Sequence, residues 1–185
     1  STIILSKNNN TIARLGNENR ELVNYKDLPQ TLIDAIVATE DARFFQHNGF
    51  DAMRFLKASI GQLKGDTTAG GASTITMQIS KNAYTSNESN GIEGIIRKFT
   101  DIYLSMFKLE RTYSKEELLE FYVNFPYLGS NCYGVETASL NYFGKHVNDL
   151  TLSESALIAG LFNAPSDYDP RQNPENATKR RNEVL

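Results

Sequence analysis

From residue 29 onward the chain sets its apolar residues at helical spacing and almost never alternates them with polar ones, which restricts it to a mainly α-helical fold. Pro29 suits a helix start, and Leu32, Ile33, Ile36 and Val37 follow on one face. Met53, Phe55, Leu56, Ile60 and Leu63 predict a second helix over about 51–64, and Ile75, Ile79 and Ala83 a third beginning near Ser73. Ile95, Ile96, Ile102, Leu104, Met106 and Phe107 predict a long helix over about 92–110. Ser114 with Glu117 forms a capping box for a helix through about 124. Thr151 or Ser153 caps another through Ala159, and Pro174 with Glu175 opens the last. Strand signal is confined to residues 2–15, read as a short hairpin around a polar turn at 7–10. Residues 65–71 and 84–91 read as loops.

The 185 residues suit one domain with room for two lobes. A 40% hydrophobic and 22% charged composition is that of an ordinary globular protein with a sizeable core. A net charge of −3 and the lack of a basic aromatic stripe argue against a nucleic-acid partner. Cys132 is the single cysteine, so no disulfide forms within the chain. No apolar run is long enough to span a membrane, and no signal peptide opens the sequence. Both ends read as boundaries within a longer protein.

Three clusters carry chemistry. In the first, Glu40 and Asp41 end an apolar helix and are followed by Phe44, Phe45, His47 and Gly49. Adjacent like charges and burial against aromatics would tune a carboxylate upward, as a general base for a sugar hydroxyl requires. The same pair would also serve as the solvated end of a helix. In the second, Gly70 and Gly71 lead into Ser73, Thr74, Thr76 and Gln78, with Lys81 and Asn82 beyond. Free N–H groups and the helix dipole at such a start favour an anion, though Ser73 or Thr74 could equally be a plain N-cap. In the third, Arg97 and Lys98 share a helix face with Asp101. That arrangement fits an exposed ion pair, or a carboxylate held among cations beside a pyrophosphate.

Together these residues resemble the peptidoglycan glycosyltransferases, glycosyltransferase family 51, which include the polymerase domains of class A penicillin-binding proteins and the monofunctional transglycosylases. The family's Glu-Asp-x-x-Phe-x-x-His-x-Gly is matched by Glu40, Asp41, Phe44, His47 and Gly49. Its Gly-Gly-Ser-Thr-Ile-Thr-Gln-Gln looks like residues 71–78, and its Arg-Lys-x-x-Glu like Arg97, Lys98 and Asp101. A fourth motif covers 114–124, with Asn124 at its end, and continues through Tyr133, Gly134, Tyr142, Phe143 and Gly144. The fifth is Arg180, Arg181, Val184 and Leu185. Two residues depart from the pattern: Met77 stands in place of a glutamine, and Asp101 in place of a glutamate one methylene longer.

The resemblance implies a lysozyme-like helical fold over residues 1–185, with a large head lobe and a smaller jaw at about 50–70 that dips into the membrane. It implies polymerisation of lipid II, an inverting transfer onto a GlcNAc 4-hydroxyl that releases polyprenyl pyrophosphate and leaves a β-1,4-linked strand. Glu40 would be the base and Asp101 the second catalytic carboxylate, placing a Mg²⁺ or Mn²⁺ ion or ordering the cations, with no organic cofactor. Asp41, Phe44, His47, Ser73, Thr74, Gln78, Lys81, Arg97, Lys98 and Asn124 would line the substrate site, with His47 serving mainly as packing. The implied partners are lipid II, the growing glycan, the membrane surface and a C-terminal transpeptidase domain, with moenomycin, a phosphoglycolipid, as inhibitor. The implied location is the outer face of the bacterial cytoplasmic membrane, by an anchor outside this segment. Two other readings stay open: a lysozyme-like hydrolase or lytic transglycosylase, which needs no cationic clamp, and a degenerate module that binds lipid II without polymerising it.

Overall fold

Short-range signals set the element boundaries. The structure, a computed structural model, describes residues 2–5, 11–15, 19–63, 71–85 and 91–185. The hairpin is present as β1 (Thr2–Leu5) and β2 (Thr11–Leu15), paired antiparallel. Its turn, and most of the two expected loops near 65–71 and 84–91, lie outside the described residues. β3 (Asn19–Arg20) follows, and then α1 (Gln30–Glu40), which begins one residue after Pro29. α2 is Ala52–Leu63, and Asp51 caps it by accepting from the Arg54 N–H at 2.8 Å. α3 is Ile75–Tyr84 and α4 is Gly91–Leu104.

The helix predicted over 92–110 is continuous but not uniform. It widens into a π turn at Ser105–Leu109 before closing as α5 (Glu110–Thr112). Gly49, at φ +84°, packs against this turn, where a Cβ would lie 2.8 Å from the Ser105 carbonyl carbon. α6 (Lys115–Asn124) starts on the predicted capping box, with both Ser114–Glu117 hydrogen bonds made.

Beyond α6 come β4 (Cys132–Tyr133), which pairs parallel with β3, and α7 (Val135–Phe143). No expectation covered α7, because its apolar face (Val135, Ala138) is too sparse to reveal a period. α8 (Leu152–Leu161) is capped by Thr151, and α9 (Pro174–Val184) has proline at its first turn.

The chain divides into two compact units. One comprises residues 1–39 and 123–185, and the other Glu40–Tyr122. In the first unit Leu32, Ile36, Val123, Leu128, Val135, Ile158 and Leu161 are fully buried. α9 comes so close to α8 that a Cβ on Gly160 would sit 2.9 Å from Arg180 Cγ. In the second unit Phe44, Ile75, Met77, Leu118 and Leu119 form the core. Met77 is therefore a packing residue, and its substitution for glutamine takes no amide from a solvent-facing site.

Most of the large apolar residues of the long helix face outward. Ile92, Ile95, Ile96, Phe99, Tyr103 and Phe107 are all exposed, Ile92 at 77%. On α2, Met53, Leu56 and Ile60 are exposed as well. Periodicity shows that a helix has an apolar face but not what covers it.

Glu154 completes the Thr151 capping box and pairs with Lys145 at 2.8 Å. Burial pushes its carboxyl up, but the Lys145 and Thr151 hydrogen bonds outweigh this and hold it at about 2, below the ordinary 4.5. A depressed pKa stabilises the fold fully above the unfolded value, and the gain disappears as pH falls from 4.5 toward 2. Glu154→Gln keeps the capping geometry and removes the charge. It should melt about 2 °C below wild type at pH 7, the difference closing on acidification in scanning calorimetry. A constant difference across that range would assign the effect to geometry instead.

Candidate active site

All three sequence clusters lie in the 40–122 unit, whereas Asn124 of the fourth motif does not, and α3 is the clusters' common scaffold. Asp41 and Glu40 are neighbours that turn to different tasks. Asp41 is fully buried. It accepts from the Ile75 N–H at the start of α3 (3.0 Å) and from His47 Nε2 (3.0 Å), and Arg54 Nη1 lies 3.8 Å away. The Gly49 N–H donates to His47 Nδ1 at 3.1 Å, so the ring proton sits on Nε2 and points at Asp41. Thr74 caps α3 by accepting from the Met77 N–H at 3.1 Å, and it donates to the Gly49 carbonyl at 2.7 Å. The N-terminus of α3 is thus occupied by the protein's own carboxylate and hydroxyl. Asp41 thus supplies a negative charge at the positive end of this helix.

Glu40 is partly exposed and hydrogen-bonded on one side only. Gln78 Nε2 and the Tyr122 hydroxyl both donate to its Oε2, at 3.0 and 3.2 Å. No described residue donates to Oε1. Burial, and then the Glu40 charge, push the Tyr122 phenol well above its ordinary value, so it remains a donor at any working pH. The two adjacent carboxylates have separate sets of donors.

At the same helix start, Lys98 Nζ donates to Ser73 Oγ at 2.5 Å. Burial lowers the Lys98 ammonium below its ordinary value. The Asp101 charge opposes that shift, while Arg97 and Lys81 add to it. Asp101 is nearly buried, and its Oδ1 accepts from Thr85 Oγ1 (2.6 Å) and Ser80 Oγ (3.3 Å). Two hydroxyls thus hold the Asp101 carboxylate. Lys81 is exposed at the far end of α3.

Five of the residues that the resemblance places in the substrate site are buried or engaged within the protein itself. Asp41, Phe44 and Thr74 are fully buried, and His47 is tied to Asp41. Asn124, in the other unit, clasps the Val23 backbone through its N–H (2.9 Å) and carbonyl (2.8 Å). Tyr122, Ser80 and Thr85 were missed. Tyr122 lies 82 residues from Glu40, and no local pattern links them.

The transglycosylase family model matches residues 8–185. Penicillin-binding protein 1A of Vibrio cholerae is 42% identical over 182 residues, covering 98% of this chain and 22% of that protein. Penicillin-binding protein 1A of Streptococcus oralis is 40% identical over 185 residues, covering the whole chain and 29% of that protein. The crystal structure of penicillin-binding protein 1A from Haemophilus influenzae superposes with a TM-score of 0.52 at 28% identity, over 98% of this chain and 17% of that one. The chain spans less than a third of the length of these relatives.

Proposed function

The chain belongs to the transglycosylase family, and on that premise we propose that it is a peptidoglycan glycosyltransferase that polymerises lipid II with Glu40 as the general base. The observation that carries this reading is the one-sided environment of Glu40. Gln78 and Tyr122 fix Oε2, while Oε1 receives nothing from the described residues. A carboxylate oriented by one oxygen and open at the other can accept a proton from an incoming sugar hydroxyl. The GlcNAc 4-hydroxyl of lipid II attacks the anomeric carbon of the growing strand. Its proton passes to Glu40, the anomeric C–O bond breaks, and polyprenyl pyrophosphate leaves with inversion to a β-1,4 linkage.

The departing diphosphate needs positive charge. Lys98, Arg97 and Lys81 supply it, with Ser73 fixing the Lys98 ammonium and Asp101 holding the set in balance. Among the described residues, no three His, Cys, Asp or Glu side chains gather as a metal site. Asp101 has Oδ1 engaged by two hydroxyls, and its Oδ2 would be the donor to a Mg²⁺ or Mn²⁺ ion shared with the diphosphate, which would supply further positive charge. The steps described rest on the protein's own cations.

The exposed apolar faces of α2 and α4 support contact with a membrane surface, where the lipid-linked substrate resides. Lys57 on α2, and Lys108 and Arg111 beyond α4, are exposed alongside them, as suits an anionic bilayer. A transpeptidase domain following this segment, an anchor preceding it and a location on the outer face of the cytoplasmic membrane complete the proposal. The short coverage of the relatives is consistent with a further domain outside this segment.

The deciding experiment offers the protein labelled lipid II and, separately, finished glycan. Polymer from the first and no cleavage of the second is expected. Cleaved glycan would make this a hydrolase, and binding without polymer a degenerate module. Lys98 provides a pH test. Its lowered pKa means that the cation is lost at a lower pH than for a free lysine, so polymerisation should fall on the alkaline limb. Lys98→Arg stays charged and should move that limb to higher pH. An unmoved limb would take Lys98 out of the clamp.

A further inference from the structure

Arg54 has no part in the proton transfer or the diphosphate clamp, yet its side chain makes three contacts around them. Its Nη1 donates to the Glu40 carbonyl at 2.5 Å, and its Nε donates to the Gly71 carbonyl at 2.7 Å. Nη1 also lies 3.8 Å from Asp41 Oδ1. Glu40 is the last residue of α1, where carbonyls lose their helical partners. Gly71 is two residues before Ser73, the partner of Lys98. One guanidinium therefore joins the main chain of the base to the main chain that leads into the clamp.

The anchor of this guanidinium is itself fixed. The Arg54 N–H donates to Asp51 Oδ1, and Asp51 is paired with Arg43. Against the upward push of burial, these two partners hold Asp51 below the ordinary carboxylate range, so it stays an anion. Arg54 thus leaves the first turn of α2 from a capped, charge-paired base. A planar fork can serve two carbonyls at once, while a lysine ammonium at the end of a flexible stem fixes neither direction.

We propose that Arg54 is a positioning residue that holds the Glu40 backbone in register with the Gly71–Ser73 segment, so that base and clamp act on one substrate. The proposal rests on the polymerase reading above and adds a residue that none of the sequence motifs contains. Losing the tether frees the Glu40 main chain, and a displacement of about 1 Å at the base costs about 10²-fold in rate. Because Arg54 touches no substrate in this scheme, KM should hardly respond.

The test compares wild type, Arg54→Ala and Arg54→Lys in two assays. In lipid II polymerisation, Arg54→Ala should lower kcat by about 10²-fold with KM within about twofold, and Arg54→Lys should fall between the two. Millimolar ethylguanidinium should restore part of the Arg54→Ala rate and none of a Glu40→Gln rate. In hydrogen–deuterium exchange without substrate, Arg54→Ala should speed exchange at residues 39–42 and 71–74 while leaving 152–161 unchanged. An Arg54→Ala enzyme with wild-type kcat and exchange overturns the proposal. So does a slow variant that guanidinium does not rescue and that exchanges faster throughout, since Arg54 would then only stabilise the fold. If wild type makes no polymer, the polymerase reading fails, while the exchange assay still decides whether Arg54 tethers the two segments.

Discussion

Glu40→Gln is expected to lower the rate of lipid II polymerisation by about 10³-fold, within the range for loss of a positioned general base. The substitution is close to isosteric. A glutamine carbonyl can still accept from Gln78 and Tyr122, the two donors that hold Glu40 Oε2. Lipid II binding and the melting temperature should therefore stay near wild type. The loss then falls on the one thing an amide cannot do, which is accept a proton from the attacking hydroxyl. Gel analysis of labelled product, alongside a binding isotherm, separates the two. A variant that polymerises at the normal rate would remove Glu40 from the base role, and one that no longer binds would make it a ligand for the sugar.

Asp101→Asn should be the next most damaging change, lowering the rate by about 10²-fold, comparable to the loss of one electrostatic stabilising group. The reason lies in charge balance. Arg97, Lys98 and Lys81 repel one another, and the Asp101 charge opposes the downward shift of Lys98. An asparagine can still accept from Thr85 and Ser80, but it leaves the three cations uncompensated and makes Lys98 easier to neutralise. Asp101→Glu keeps the charge and should keep activity, reduced because an added methylene must fit where the side chain is only 4% exposed. Rates measured at pH 7 with each variant, with and without divalent metal, check this. If Asp101→Asn and wild type polymerise alike, the Arg97–Asp101 turn serves another purpose.

Some of this was legible from local chemistry. The capping boxes at Ser114–Glu117 and Thr151–Glu154, the starts at Pro29 and Pro174, and the hairpin around residues 7–10 depend on residues within a few positions of each other. The candidate for the base, Glu40, came from the match of ordered motifs. The division of labour between Glu40 and Asp41 was not. Which of two adjacent carboxylates turns inward depends on where α3 begins, because the Ile75 N–H and the Asp41 carboxylate need each other. Phe44, Thr74 and Asn124 were read as substrate contacts because they sit in motifs. Their burial is something no motif records.

By itself the sequence determined that the chain is helical, that its family is that of the transglycosylases, and that an acid and a set of cations recur at the positions such an enzyme uses. These follow from residue type and short spacing, which survive without knowledge of the fold. Only the tertiary structure decided that Tyr122 and Gln78 orient Glu40, that Thr85 and Ser80 receive Asp101, and that the apolar stripe of α4 faces outward. Each of these joins residues far apart in the chain, or depends on what does or does not pack against a face, and such pairings arise only once the helices have docked.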